Sequence, residues 1–356
     1  MKKILFVIHQ LNFGGAQRVL INIMNNIDRD KYKVELVVFQ ERDELANTIN
    51  NDILIHKLNV SNIRKGIFKL YKLINTINPN IVFSGIAHVN LMLAVMIPFL
   101  PKHIKYIARE TSIPSQRLKN SQFKFFTIML YKYFYNNYDL IISQSNYMKT
   151  DLIDNFDTDN NKIVVINNPV DIDKINKSSS TKEILFDKNK INIIVVGRLE
   201  EVKGYDLLIQ AFAQLNNNFE LYLIGDGSQK ETLFKLTQSL NIIQRIHFLG
   251  FQDNPYKYMA QADLMVLSSR YEGFPNVVLE ANACGLPVVA YECPGGTGEI
   301  IINGLNGFLV ECGDIEKLAD KIKEAKAYQW DKEKIVENID DKYSLKNIIF
   351  KYEDLL

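Results

Sequence analysis

The feature that most restricts the fold of this chain is a repeated exchange of short apolar runs with longer amphipathic ones. Ile4–Ile8, Val34–Phe39, Ile81–Ser84, Lys105–Ala108, Leu140–Ser143 and Ile163–Ile166 are apolar and of strand length. Stretches of helical periodicity lie between most of them. One opens at Gly14-Gly15 and runs to about Ile27, and another covers Arg64–Ile77 and stops before Pro79. Strands that are apolar throughout are buried on both faces, and a strand–helix–strand rhythm joins them in parallel. The fold class is therefore α/β, with doubly wound parallel sheet covered by helices.

The rhythm pauses between about Val170 and Lys190, where Asn167-Asn168-Pro169 and Ser178-Ser179-Ser180-Thr181 make a polar stretch that reads as a linker. It then restarts. Asn192–Val196, Leu221–Ile224, His247–Leu249, Leu264–Leu267, Pro287–Ala290 and Phe308–Val310 are strands, with helices over Tyr205–Leu215, Gln229–Leu240, from about Asn276 and from about Asp314. At roughly 150 residues per domain, 356 residues make two. We expect two Rossmann-like domains facing one another across a cleft, at 1–175 and 190–335. In such folds ligands lie at the carboxyl ends of the strands, which directs attention to the loops there.

Several classes are excluded or demoted by composition. The net charge of +1 is split: residues 1–170 carry 21 Lys/Arg against 13 Asp/Glu, and the remainder 21 against 28. The basic half could meet an anionic surface or a phosphorylated acceptor, or carry only solvated charge. No basic run of five or more marks a nucleic-acid binder, so no nucleic-acid partner is expected. Cys284, Cys293 and Cys312 are odd in number and lack C-x-x-C spacing, which fits small hydrophobes in a reducing cytoplasm. Leu91–Leu100, the longest apolar stretch, cannot span a bilayer, and Ile4–Ile8 is too short for a secretion signal.

Three motifs carry chemistry. Gly14-Gly15-Ala16 follows the first strand and opens a helix, where close backbone approach and N–H groups suit an anion, although a plain turn would use the same glycines. Arg198 and Lys203, in Gly197-Arg198-Leu199 and Lys203-Gly204, bring two cations to the end of another strand. Positive charge beside a helix start is unfavourable unless an anion sits there, and a departing diphosphate needs such neutralisation. Glu272 and Glu280 bracket Gly273-Phe274-Pro275-Asn276, one in a loop and one a turn into the next helix. A loop carboxylate can take sugar hydroxyls and a helix carboxylate a ribose diol, while the N–H groups of Phe274, Pro275's neighbours Asn276 and Val277, and the helix start suit an oxygen ligand. A glycosidase acid/nucleophile couple is the competing use of two carboxylates, and it has no need of the two cations.

Together and in this order, these motifs, with Gly225-Asp226-Gly227, Phe248-Leu249-Gly250, the Glu-x7-Glu spacing of 272 and 280, and Asn306-Gly307-Phe308-Leu309-Val310, resemble the retaining GT-B glycosyltransferases that include bacterial sucrose, mannosyl and N-acetylgalactosaminyl transferases. The resemblance implies that Arg198 and Lys203 bind the donor diphosphate, Glu280 the ribose, and Glu272 with the Phe274–Asn276 backbone the donor sugar. It implies Gly15 at the distal phosphate, Leu249 near the base, and His88 near the transferred sugar. Gln17 departs from the Glu that many relatives carry after Gly-Gly-Ala. The resemblance further implies a UDP-hexose or UDP-N-acetylhexosamine donor, a polyprenyl-diphosphate-linked glycan acceptor, neither metal nor cofactor, a last helix (about 340–356) crossing back onto the first domain, and a peripheral place on the inner face of the cytoplasmic membrane. A GT-B epimerase or phosphorylase, or a non-catalytic two-domain sugar-binding protein, are the other classes.

Two basic stripes could meet acceptor or membrane. Arg64, Lys65, Lys69 and Lys72 recur at helical spacing, and Arg117, Lys119 and Lys124 border a run rich in Phe and Tyr. A core helix with solvated basic residues would read the same way.

Overall fold

A computed structural model of the chain describes residues 1–11, 14–40, 44–181, 183 and 185–356. It divides into two units, Met1–Pro169 with Leu345–Leu356, and Val170–Ser344.

The first unit holds β1 (Lys2–Ile8), α1 (Gly15–Asn26), β2 (Tyr32–Val38), β3 (Leu54–Lys57), α2 (Ile63–Ile77), β4 (Ile81–Ser84), α3 (Ala87–Met96), β5 (Lys105–Arg109), α4 (Pro114–Leu118), α5 (Lys124–Phe134), β6 (Leu140–Ser143), α6 (Asn146–Phe156) and β7 (Ile163–Val165). The strands form one sheet in the order β3-β2-β1-β4-β5-β6-β7, and every pairing is parallel. Successive residues of β1 serve opposite faces: Ile4, Phe6 and Ile8 enter one core and Leu5 and Val7 the other. That two-sided burial is why the strand is apolar at every position. α2 begins where the Asn62 side chain accepts from Lys65 N–H, and it ends at Asn78 in the left-handed region ahead of Pro79.

The second unit holds α7 (Ile172–Ser179), β8 (Ile191–Val196), α8 (Tyr205–Phe212), β9 (Phe219–Ile224), α9 (Lys230–Ser239), β10 (Ile246–Gly250), α10 (Tyr256–Met259), β11 (Leu264–Leu267), α11 (Asn276–Ala283), β12 (Val288–Glu292), α12 (Thr297–Ile300), β13 (Gly307–Glu311), α13 (Ile315–Ala327) and α14 (Lys332–Tyr343). Its sheet runs β10-β9-β8-β11-β12-β13, again parallel throughout. Both orders reverse direction beside the first strand of each sheet in the chain, at β1–β4 and β8–β11, the position at which open parallel sheets bind ligands.

α15 (Leu345–Glu353) lies in the first unit, with Ile348, Ile349 and Tyr352 in the core beneath β1 and β4. The Tyr352 hydroxyl accepts from Nε of fully buried Arg109 at 3.0 Å, and Arg109 also donates to Asn168 at 2.5 Å.

Three readings of the sequence change here. β3 is a strand that the apolar runs did not announce, a short edge with Leu54 54% exposed. The polar stretch 170–190 carries α7, capped by Asp171, and buries Ile175 and Phe186 in the second unit. The three cysteines are not alike: burial pushes the Cys284 and Cys293 thiols up to about 12, whereas Cys312 is exposed. Among the described residues, no helix is long and apolar enough to cross a membrane.

Candidate active site

In the second unit the carboxyl ends of β8, β9, β11 and β12 are tied into one layer. Gly225 donates to the Gly250 carbonyl at 2.8 Å, and Leu199 to the Asp226 carbonyl at 2.9 Å. The loop after β8 lies against the loop after β11: Ser268 Oγ donates to the Lys203 carbonyl at 2.9 Å, and Arg270 N–H to that of Val202 at 2.8 Å. Gly204 makes this approach possible. Its φ is +61°, and a Cβ there would stand 2.1 Å from the Ser268 carbonyl oxygen. The loop after β11 is tied in turn to the loop after β12, by Glu272 N–H to the Pro294 carbonyl and Gly296 N–H to that of Gly273, each 3.0 Å.

This layer brings together residues far apart in sequence. Lys203 Nζ meets Glu272 Oε1 at 2.6 Å, and Ser269 Oγ donates to the same oxygen at 2.6 Å. The two charged side chains are only 21% and 13% exposed. Tyr205 stands beside them, and burial, with Glu272 second, raises its phenol so that it stays neutral. The layer is braced by Arg270, which grips Asp206 through both terminal nitrogens (2.9 and 2.7 Å) and donates to the Glu201 carbonyl at 2.6 Å. Burial pushes the Asp206 carboxyl up, but Arg270 outweighs it and holds the group below the ordinary carboxylate range. Arg198 is different. Its side chain is 75% exposed, with Glu200 3.3 Å away.

α11 begins after Pro275, so Asn276 and Val277 form its first turn and Glu280 lies one turn further in, accepting from the Tyr256 hydroxyl at 3.3 Å. Phe274 is buried against Tyr343, ring centroids 5.6 Å apart. The Leu249 carbonyl accepts from Gln252 at 2.9 Å, which fixes the turn at the end of β10. Ser269, Tyr205, Tyr256 and the Arg270–Asp206 brace carry no pattern of their own. Only the polar Ser268-Ser269 directly after an apolar strand hints that a site begins there. Among the described residues, no group of three or more His, Cys, Asp or Glu is placed to hold a metal ion.

In the first unit Gly14 caps α1 and Gly15 starts it. His88, which the resemblance implies near the transferred sugar, is the second residue of α3. Its ring stands edge-on to that of His9, centroids 4.9 Å apart. Its surface is exposed, yet protein crowds the imidazole, and this burial, with His9 and Arg117 after it, pushes its pKa down to about 4. His88 is thus a neutral hydrogen-bonding group at neutral pH. Arg64, Lys65, Lys69, Lys72, Lys119 and Lys124 are exposed, while Arg117 is half-buried and donates to the Tyr131 hydroxyl at 3.0 Å. Exposed aromatic side chains accompany the basic ones: Phe68 on α2, and Phe123, Phe125, Phe126 and Tyr133 at or on α5.

Comparison with known proteins agrees with this architecture. The family model described as "Glycosyl transferases group 1" matches residues 176–342, and "Glycosyltransferase Family 4" matches residues 13–174. The chain is 28% identical over 335 residues to the N-acetylgalactosamine-N,N'-diacetylbacillosaminyl-diphospho-undecaprenol 4-alpha-N-acetylgalactosaminyltransferase of Campylobacter jejuni, covering 91% of this chain and 90% of that one. It is 31% identical over 257 residues to an uncharacterised glycosyltransferase of Methanocaldococcus jannaschii, covering 68% and 63%. Among solved structures, Anabaena HepE in complex with UDP superposes with a TM-score of 0.84 at 22% identity over 99% of each chain, a likeness of fold.

Proposed function

The chain belongs to the glycosyltransferases of the GT-B fold, and we propose that within them it is a retaining enzyme that moves a hexose or N-acetylhexosamine from its UDP conjugate to a glycan carried on a lipid diphosphate, in the building of bacterial surface polysaccharide or glycan. The observation that carries this reading is the Lys203–Glu272 pair, seated with Ser269 at the carboxyl edge of a parallel sheet. A cation held by a carboxylate in a largely buried layer is preorganised for exchange: donor phosphate takes the place of Glu272 at Lys203, and donor sugar hydroxyls take the place of Lys203 at Glu272.

In the proposed step the bond from sugar C1 to the β-phosphate oxygen breaks. The acceptor hydroxyl oxygen bonds to C1 on the same face, its proton passes to the departing β-phosphate, and UDP leaves. Lys203 and exposed Arg198 take up the developing charge, so the step calls for no metal. Glu280, steadied by Tyr256, holds the ribose diol, with the Leu249 turn beside the base. Gly14 and Gly15 bring helix-start N–H groups to phosphate, and neutral His88 bonds the sugar. A lipid-linked acceptor is supported by the acceptor named for the Campylobacter relative. The exposed Phe68, Phe123, Phe125 and Phe126 among Arg64, Lys65, Lys72, Lys119 and Lys124 support a peripheral seat on an anionic, cytoplasmic membrane face.

A panel of nucleotide sugars in a thermal-shift assay tests the donor, because a ligand of the native state alone stabilises it by mass action. A UDP-sugar should raise the melting temperature, and the product's anomeric NMR coupling should match the donor's. A panel with no stabilising member, or an inverted product, overturns the reading.

A further inference from the structure

A second layer of polar contacts lies behind the end of β10, wholly within the second unit. The Leu249 carbonyl accepts from Gln252 Nε2 at 2.9 Å, and Gln252 Oε1 accepts from the Tyr258 hydroxyl at 3.2 Å. A carbonyl can only accept, so Gln252 must turn its NH2 to Leu249 and its oxygen to the phenol, which makes Tyr258 the donor. The relay has one polarity: hydroxyl to amide to carbonyl. It commits one of the two lone pairs of the Leu249 oxygen and leaves the other. The next peptide is held as well, since the Gly250 carbonyl accepts from Gly225 N–H at 2.8 Å, with Gly250 at a φ of +68°. α10, which supplies Tyr258, is four residues long and is held at both ends. Asn254 accepts from Tyr256 N–H at 3.2 Å and donates to the Ser178 carbonyl at 2.7 Å. Gln261 donates to the Glu183 carbonyl at 2.9 Å and accepts from Leu185 N–H at 3.2 Å. The Tyr258 ring packs near Phe186, centroids 6.1 Å apart, with Lys257 Nζ 5.1 Å from its centre. Packing asks only for the ring, and phenylalanine would serve; the hydroxyl is spent on Gln252. Tyr256, two positions earlier, faces another way, and its hydroxyl donates to Glu280 at 3.3 Å. One short helix therefore steers two groups, the Leu249 carbonyl and the Glu280 carboxylate.

We propose that Tyr258 and Gln252 set the base specificity of the donor site, by fixing the Leu249 carbonyl as the acceptor for the N3–H of uracil. The proposal rests on the UDP donor of the reading above. Both side chains are positioning residues, which act through Leu249. Uracil offers a donor at N3, where cytosine has a bare nitrogen that is itself an acceptor. A carbonyl locked in place meets cytosine acceptor to acceptor and goes unpaired, whereas a carbonyl able to swing aside would lower that cost. Tyr256 serves the ribose instead, through Glu280. The two phenols of α10 thus govern separate parts of the nucleoside.

The test is calorimetric titration of the full chain with UDP, CDP and dUDP, beside the melting temperature of each variant. Wild type should prefer UDP to both of the others. Tyr258→Phe should weaken UDP about threefold to tenfold and shrink the preference over CDP by a similar factor, with the preference over dUDP kept. Tyr256→Phe should do the reverse, keeping the base preference and shrinking the ribose one. Gln252→Leu should reproduce Tyr258→Phe, and combining the two should add little, because both break one relay. A merely structural loss would weaken all three nucleotides by one factor in either tyrosine variant, and that result overturns the proposal. So does a Tyr258→Phe protein that matches wild type, or a wild type with no preference for UDP over CDP. Should Tyr258→Phe fail to fold, Gln252→Leu carries the same comparison. A wild type that binds none of the three nucleotides strikes the UDP donor itself, and the relay's role with it. One that binds UDP with preferences untouched by Tyr258→Phe and Gln252→Leu strikes the relay alone.

Discussion

Replacing Lys203 by Met separates what the ion pair does for the fold from what it does for the reaction. Met keeps the length and apolar stem of the side chain and removes the charge 2.6 Å from Glu272. The pair lies between two regimes. Its 21% and 13% exposures are too low for the fraction of a kcal/mol typical of surface pairs, and too high for the roughly 3–5 kcal/mol lost when a fully buried partner is removed. Ser269 still donates to Glu272 at 2.6 Å, which softens the loss further. We expect about 1–3 kcal/mol of destabilisation, or about 4–8 °C in melting temperature at the middle of that range for a unit of this size. Adding Glu272→Gln should recover most of it, because the stranded charge is then gone. Turnover behaves differently. A cation that stabilises a leaving diphosphate is worth roughly 10²–10³ in rate, and Glu272→Gln cannot restore it. The assay is sugar transfer at saturating donor beside urea unfolding of the single and double variants. A Lys203→Met enzyme that melts earlier but turns over within about threefold of wild type would refute the assignment of Lys203 to the leaving group. A double variant no more stable than Lys203→Met would refute the energetic coupling.

Gly204→Ala should cost at least about 2 kcal/mol in urea unfolding, since a φ of +61° and a carbonyl 2.1 Å from the new Cβ both oppose it; an unchanged midpoint would mean that the two loops are not locked together. For His88 the depressed pKa means that the unfolded chain binds a proton between about pH 6.5 and 4 that the folded chain does not. Stability should therefore fall as pH drops through that window and not change above it. Across that window the melting temperature of wild type should fall more steeply with pH than that of His88→Gln, and parallel curves would discard the account. Tyr352→Phe should lose about 1–3 kcal/mol by denaturant titration, because it strips the partner from the Nε of buried Arg109. Turnover in excess chelator should equal turnover without it, and a loss restored by added divalent cation would bring a metal into the step.

Much of this was legible in the chain for a definite reason. A strand buried on both faces must be apolar at every position, so β1 and β11 announce themselves, and Gly-Gly, Lys-Gly and the two glutamates fall at the ends of such strands. β3 was not legible, because a four-residue edge strand with Leu54 and Lys57 exposed needs no apolar run. α7 was hidden because eight residues give only two apolar positions, Ile172 and Ile175, before Ser178 and Ser179. At the site, sequence could place charge at 203 and 272 but not join them. Their pairing depends on Gly204 letting one loop rest on another, a tertiary approach with no local signature. The burial of Glu110 against the Tyr131 and Tyr135 hydroxyls was missed for a similar reason: one phenol lies on α5 and the other just past its end, in a run whose composition fits a surface and a core equally.

The return of α15 to the first sheet has a consequence for how the protein is made. A ribosome delivers Val170–Ser344 in one uninterrupted piece, so the second unit has all of its core in hand as soon as that piece emerges. The first unit, although translated earlier, waits with Arg109 lacking Tyr352 and with the underside of β1 and β4 uncovered until Ile348, Ile349 and Tyr352 arrive. The unit begun first is thus completed last, and its exposed underside is where a chaperone would have reason to bind in the interval.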